Sequence, residues 1–114
     1  MGINMEVKNR SLLVNIGGEL DHHQAERFRT LIDATFEKSS VRNIILDMSK
    51  ITFMDSSGIG MIIGRYKNAE KRGGKLVLAA MNEHIQKLFE ISGLAKIIKP
   101  ADTVEDAYKK LGGN

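Results

Sequence analysis

Phe53-Met54-Asp55-Ser56-Ser57-Gly58-Ile59-Gly60 sets two hydroxyls and a carboxylate where a buried strand turns into a helix. The strand is read from Asn43-Ile44-Ile45-Leu46-Asp47-Met48, a short apolar run, and the helix from Ile59, Ile62, Ile63 and Tyr66, which recur at helical spacing. Ser56 and Ser57 therefore fall at or just inside a helix start. There the free backbone N–H groups and the positive end of the helix dipole favour an oxyanion, whether it belongs to a capping side chain, a phosphoserine or a bound phosphate. Three roles are open to the pair: cap, nucleophile or phosphoacceptor. By spacing alone the two hydroxyls are nearly equivalent.

Capping is the ordinary use of Ser and Asp at helix starts, yet one cap needs only one residue. The nucleophile elbow of hydrolases has the pattern G-x-S-x-G, whereas here Met54 stands two before Ser56 and Asp55 two before Ser57. A hydrolase also needs a His held by a carboxylate. His22 and His23 directly follow Asp21, so an Asp21/His/Ser56 grouping is compatible with the spacing, but no glycine-rich oxyanion segment accompanies it. His84 reads as a surface residue. The chain has no G-x-x-x-x-G-K-[ST] loop and no Mg²⁺ carboxylate cluster, so a phosphate on either Ser must come from another protein.

Composition narrows the class. A chain of 114 residues, 42% hydrophobic and 27% charged, is one ordinary globular domain with a single core. It holds no run of 18 apolar residues, and Met1-Gly2-Ile3-Asn4-Met5-Glu6 lacks a basic n-region and an apolar h-region, so the expected setting is the cytoplasm, away from membranes. The absence of cysteine removes disulfides, thiol catalysis and thiolate metal sites, and three His without H-x-x-x-H spacing point to no metal and no cofactor. Seventeen basic residues against fourteen acidic give +3, spread along the chain, and four Phe, two Tyr and no Trp supply no stacking platform, so no nucleic-acid binding is expected.

Outward from the motif, Ile3, Met5 and Val7 alternate with polar residues as in a strand with one wet face, and a turn at Asn9-Arg10 leads into a second strand over Leu12–Ile16, ended or bulged by Gly17-Gly18. A helix begins at Asp21, with Gln24 in a capping-box relation and Ala25, Phe28, Ile32 and Phe36 as its buried stripe, and ends near Lys38. After the motif helix, Glu70-Lys71-Arg72-Gly73 reads as a C-terminus with cations matched to the dipole. Lys75–Ala80 is a strand buried on both faces; Asn82 caps a helix carrying Ile85, Leu88 and Phe89 and stopping at Gly93. Lys96–Lys99 is read as a strand before Pro100, and a last helix from Thr103 buries Val104, Ala107, Tyr108 and Leu111 before Gly112-Gly113. A hairpin followed by alternating helices and strands gives an α/β fold with a mixed sheet, its central pairs parallel because helices connect them.

Gly60 and Gly64, four apart on one helix, each cost about 1 kcal/mol relative to Ala. Tight packing on the sheet is expected at Gly64, while Gly60 is open between packing and a flat docking face. Met54 and Ile59 flank the Ser pair and, if exposed, are apolar contacts for a partner. Asp21 is a cap by position; His22 and His23 are exposed polar residues of the first turn.

Gly18-Glu19-Leu20-Asp21-His22-His23 together with the Phe53–Gly60 motif, Gly64-Arg65-Tyr66-Lys67 and Phe89-Glu90-Ile91-Ser92-Gly93-Leu94 resembles the STAS domain of anti-sigma factor antagonists, over essentially the whole chain. The His pair after Asp21 narrows the resemblance toward the sporulation branch over the general-stress branch. What the resemblance implies is a binding partner and protein substrate, not an enzyme. In that family an anti-sigma factor that is also a serine kinase, with ATP or ADP bound, is captured by the unphosphorylated antagonist and so releases its sigma factor; it phosphorylates the Ser after the motif Asp, and a PP2C-type phosphatase reverses the step. The resemblance makes Ser56 the phosphoacceptor and Asp55, Ser57, Gly58, Ile59 and Gly60 the shapers of its turn. It places Asp21, His22, His23 and Met54 on or beside the partner surface and implies a monomer when free. Other members of the same fold serve general-stress switching, sensory assemblies or nucleotide binding.

Overall fold

Alternation along the strands decides which side of the sheet each residue serves. In the computed structural model, which describes residues 2–112, the chain runs β1 (Ile3–Lys8), β2 (Ser11–Leu20), α1 (His22–Lys38), β3 (Asn43–Met54), α2 (Ser56–Lys71), β4 (Leu76–Ala79), α3 (Glu83–Ile91), β5 (Lys99–Ala101) and α4 (Val104–Lys110). The sheet order is β1-β2-β3-β4-β5, with β1 and β2 an antiparallel hairpin and every later pair parallel. This is the expected mixed α/β sheet. Leu12, Val14, Ile44, Leu46, Leu76 and Leu78 face one way, onto Phe28, Ile32 and Phe36 of α1, Ile62 and Ala69 of α2, and Ile85 and Phe89 of α3. The residues between them, Leu13, Ile45 and Val77, face Ala107 and Tyr108 of α4. Each fully buried Leu, Ile or Phe contributes roughly 1.5–3 kcal/mol, so the larger face carries most of the stability.

Several boundaries differ from the sequence-based expectation. β3 continues past Met48 to Met54, because its second half pairs with the second half of β2 through Gly17↔Lys50, Gly18↔Ile51, Glu19↔Phe53 and Leu20↔Met54. Polar Ser49, Lys50 and Thr52 hid that extension. Gly17-Gly18 bulges β2 without ending it: the register shifts on both sides of the pair, and Gly18 has φ 96°. The strand expected at Lys96–Lys99 is displaced. Leu94–Lys96 forms a 3-10 turn after Gly93, whose φ is 84°, and β5 takes Lys99–Ala101, including Pro100. Proline is tolerated there because β5 is an edge strand with no neighbour on one side. Arg72 does not merely match its own helix dipole: one guanidinium nitrogen donates to the carbonyls of Phe36, Ser39 and Val41, tying the end of α1 to that of α2. The other helix limits follow the expected caps, with Asn82 Oδ1 accepting from Ile85 N and Thr103 Oγ1 from Asp106 N; Gly113 lies outside the described residues.

Parallel pairing of β2 with β3 has one consequence that matters for the motif. The carboxyl ends of the two strands lie side by side, so α1 and α2 begin side by side as well.

Candidate functional site

The cap of α2 is Asp55 and neither Ser. Its backbone is extended, its Oδ1 accepts from Ser57 N at 2.9 Å and Gly58 N at 3.4 Å, and its carbonyl accepts from Ile59 N. Asp21 does the same for α1, where Oδ1 accepts from Gln24 N at 3.0 Å. Such caps are worth about 1 kcal/mol each. With the capping position filled by a carboxylate, both serine hydroxyls are available for something else.

The two hydroxyls are not equivalent in space. Ser56, the first residue of α2, is exposed, and its Oγ makes no hydrogen bond among the described residues. Ser57 is half-buried, with its Oγ 3.4 Å from Nδ1 of His22 on the neighbouring helix. Gly58 is buried for a definite reason: a Cβ there would lie 2.7 Å from Met54 Cγ and 2.9 Å from the Leu20 carbonyl oxygen. The turn carrying Ser56 therefore sits tight on the ends of β2 and β3.

Met54 is 3% exposed and belongs to the core, which corrects the expectation that it offers an apolar contact. Beside it Phe53, 42% exposed, is the large apolar side chain that faces outward. A strand ending at Met48 hides this; with the strand running to an inward Met54, alternation turns Phe53 outward. Ile59 is half-buried against the core, and His22 and His23 are exposed.

Gly60 and Gly64 correct a second expectation. A Cβ at either position meets nothing within 4 Å, so Gly64 is not packed on the sheet. Both line a shallow groove of about 320 Å³ between α1 and α2, walled by His22, Glu26 and Arg29 on one side and Ser57 and Arg65 on the other. Arg65 is 5% exposed, its Nε 2.9 Å from Asp33 Oδ1, an ion pair by distance; Asn68 Nδ2 donates to the same oxygen at 3.1 Å. Burial pulls the Arg65 guanidinium below its usual pKa, Asp33 opposes that, and Arg29 adds to it. On the rim Arg29 donates to both Glu26 oxygens, which holds Glu26 below and Arg29 above their ordinary ranges.

Chemically, the arrangement lacks the parts of a hydrolase. The Ser57–His22 approach is long, and among the described residues no carboxylate hydrogen-bonds to His22. Asp21 and Asp55 are committed to caps, and the Ser57 and Gly58 N–H groups already donate to Asp55. What remains is an exposed alcohol at a positively polarised helix start, open to a reagent brought by another molecule.

The STAS domain family model matches residues 2–107. The chain is 36% identical over 109 residues to the anti-sigma F factor antagonist of Paenibacillus polymyxa, covering 96% of this chain and 93% of that one. It is also 36% identical over 100 residues to the anti-sigma-B factor antagonist of Bacillus subtilis strain 168, covering 86% and 90%. Among solved structures it is similar to the anti-sigma factor antagonist SpoIIAA, with a TM-score of 0.82 to the unphosphorylated form at 31% identity, over 96% of this chain and 95% of that one. The phosphorylated form gives a TM-score of 0.73 at 31% identity, over 96% and 98%.

Proposed function

The chain belongs to the STAS domain family of anti-sigma factor antagonists, and on that premise we propose that it is a cytoplasmic partner-switch protein, one STAS domain throughout, whose phosphoacceptor is Ser56. Unphosphorylated, it captures an anti-sigma serine kinase carrying ATP or ADP and so frees a sigma factor; phosphorylated, it lets the kinase go until a PP2C-type phosphatase restores it. The observation that carries the assignment is the division of labour at the helix start: Asp55 caps, Ser57 leans on His22, and Ser56 alone presents an unengaged, exposed hydroxyl. The docking surface proposed around it comprises Asp21, His22, His23, Phe53, Asp55, Ser57, Ile59 and Gly60, with Gly58 setting the turn and Met54 serving only the core beneath it.

The switch is electrostatic. A phosphoserine adds roughly −1.5 to −2 charges, and a helix N-terminus favours an anion by about 0.3–1 kcal/mol, so the free domain keeps its fold. In a desolvated interface beside nucleotide phosphates the same uncompensated dianion costs about 2–5 kcal/mol, a weakening from roughly thirtyfold to several-thousandfold.

Identity is 36% both to the Paenibacillus polymyxa sigma F antagonist and to the Bacillus subtilis sigma B antagonist, and the His22-His23 pair is what supports the sporulation branch. The test is incubation with each cognate anti-sigma kinase and ATP, read by peptide-level mass spectrometry on wild type, Ser56→Ala and Ser57→Ala. One phosphate on wild type and Ser57→Ala but none on Ser56→Ala is expected with the sporulation-type kinase. Modification at Ser57 overturns the residue assignment, and modification by the general-stress kinase alone overturns the branch.

A further inference from the structure

At the opposite end of β3 from Ser56 the chain builds a second polar cleft. The β1–β2 turn at Asn9-Arg10, with Asn9 at φ 59°, meets the start of β3, and the Arg10 carbonyl accepts from both Arg42 N at 3.2 Å and Asn43 N at 3.1 Å. Those two bonds fix Arg10 and Arg42 beside one another. Both side chains are exposed, neither guanidinium has an ion-pair or hydrogen-bond partner among the described residues, and they line a cleft of about 400 Å³ that contains no carboxylate in its lining. Buried Ser11 and Tyr108 of α4 complete the wall. Tyr108 is 8% exposed, and its hydroxyl is the one fully buried side-chain oxygen among the described residues without a hydrogen-bond partner.

Positive charge continues past the cleft. Asn43 Oδ1 accepts from Lys75 N at 2.9 Å, and Lys75 begins an adjoining groove with Lys99 and Lys110, whose single lining acid, Glu70, already accepts from the Tyr66 hydroxyl. Burial first, and then the charge of Glu6, raise the Tyr108 hydroxyl above its usual pKa, and Lys8 Nζ lies 5.1 Å from the Tyr108 ring centroid. Like charges held together without an acid between them are stable beside an anion, and planar guanidinium groups suit phosphoryl oxygens because each offers paired donors.

We propose that the Arg10/Arg42/Tyr108 cleft binds a phosphate-bearing small molecule with at least two phosphoryl groups. One guanidinium takes each phosphoryl group, with Ser11 at the inner wall beside them. The volume falls in the range of small-ligand sites. Two sources share this chemistry, free pyrophosphate and a nucleoside diphosphate, and the site is independent of the Ser56 switch.

Calorimetric titration of the whole chain with orthophosphate, pyrophosphate and ADP tests it, with amide NMR shifts locating the contact. Saturable binding of pyrophosphate or ADP is expected, with shifts at Ser11, Arg42 and Asn43 and none at 55–60. Arg10→Ala and Arg42→Ala, both surface changes, each weaken it about tenfold or more, while Tyr108→Phe, whose hydroxyl is sealed from the cleft, and Ser56→Ala leave it unchanged. ADP binding above pyrophosphate identifies a nucleotide site; equal binding identifies free phosphates. Non-saturable binding, affinity retained in Arg10→Ala/Arg42→Ala, or shifts confined to the Ser56 end overturns the proposal.

Discussion

Replacing Gly60 and Gly64 with alanine separates stability from docking. A helix-interior glycine is about 0.8–1 kcal/mol worse than alanine, and here nothing offsets that: neither position has a positive φ, and an added Cβ meets no atom within 4 Å. Gly60→Ala and Gly64→Ala are therefore each expected to stabilise the free protein by about 0.8–1 kcal/mol, and the double variant by more than either alone. For a domain of this size each step raises Tm by about 4 °C. A chain that keeps two such glycines gains from an open groove only when something else fills it. Gly60 lies one helical turn from Ser56, and Gly64 about 6 Å further along the axis. If the kinase covers this end of α2, Gly60→Ala places a methyl in a close-packed interface and weakens capture by about 1–3 kcal/mol, while Gly64→Ala weakens it less. Urea denaturation and calorimetry of the free variants, beside titration against the anti-sigma kinase, read both quantities. Destabilised alanine variants would refute the open-space argument, and a Gly60→Ala variant that is more stable and binds equally well would refute the docking argument.

Four further outcomes follow from the same geometry. Gly58→Ala is expected to destabilise by about 1–3 kcal/mol, in contrast to its helical neighbours, because its Cβ meets the Leu20 carbonyl oxygen at 2.9 Å; denaturant midpoints check the reversal of sign. Asp33→Ala leaves the buried Arg65 charge without its carboxylate and lowers stability by about 3 kcal/mol, discounted from the largest buried-pair losses because Asp33 is partly exposed; a denaturant midpoint unchanged from wild type would show the pair to be immaterial. Phe53→Ala removes an exposed ring and leaves Tm within about 1 °C while slowing kinase capture, whereas Met54→Ala unfolds more readily, by about 2–5 kcal/mol; a common loss in both would contradict the burial contrast. Asp21→Asn keeps the cap and the stability but impairs kinase engagement, and equal loss of both leaves Asp21 a purely structural residue.

The helices were legible because their signals are local. Asp21 with Gln24, Asn82 with Ile85 and Thr103 with Asp106 mark starts within one turn of sequence, and each is a cap in the structure. The strands were legible where both faces are covered, as at Ile44–Leu46, or where alternation is regular, as at Ile3–Val7. Beyond Met48 one face of β3 is wet, its polar residues resemble a loop, and what keeps it extended is pairing with the bulged half of β2, a contact more than thirty residues away in sequence. That extension matters at the site, since it buries Met54 and leaves Phe53 exposed. Gly64 failed for a related reason: sequence shows that a side chain is absent and says nothing about whether the space it leaves is filled.

The choice between Ser56 and Ser57 shows what long-range structure adds. Along the chain the two hydroxyls differ by one position; in space they differ because β2 and β3 run parallel and bring a second helix start beside the first. His22 then approaches Ser57 from α1, and Asp55 fills the capping position, leaving Ser56 unengaged. The same pairing puts two positive helix ends at one edge, so a phosphate added there is tolerated by the protein that carries it. A modification that neither unfolds its host nor rearranges the helix start has to act on the molecule that docks. On the proposed function the switch is then a property of the interface, and a phosphorylated protein with unchanged Tm and lost kinase binding is the expected signature.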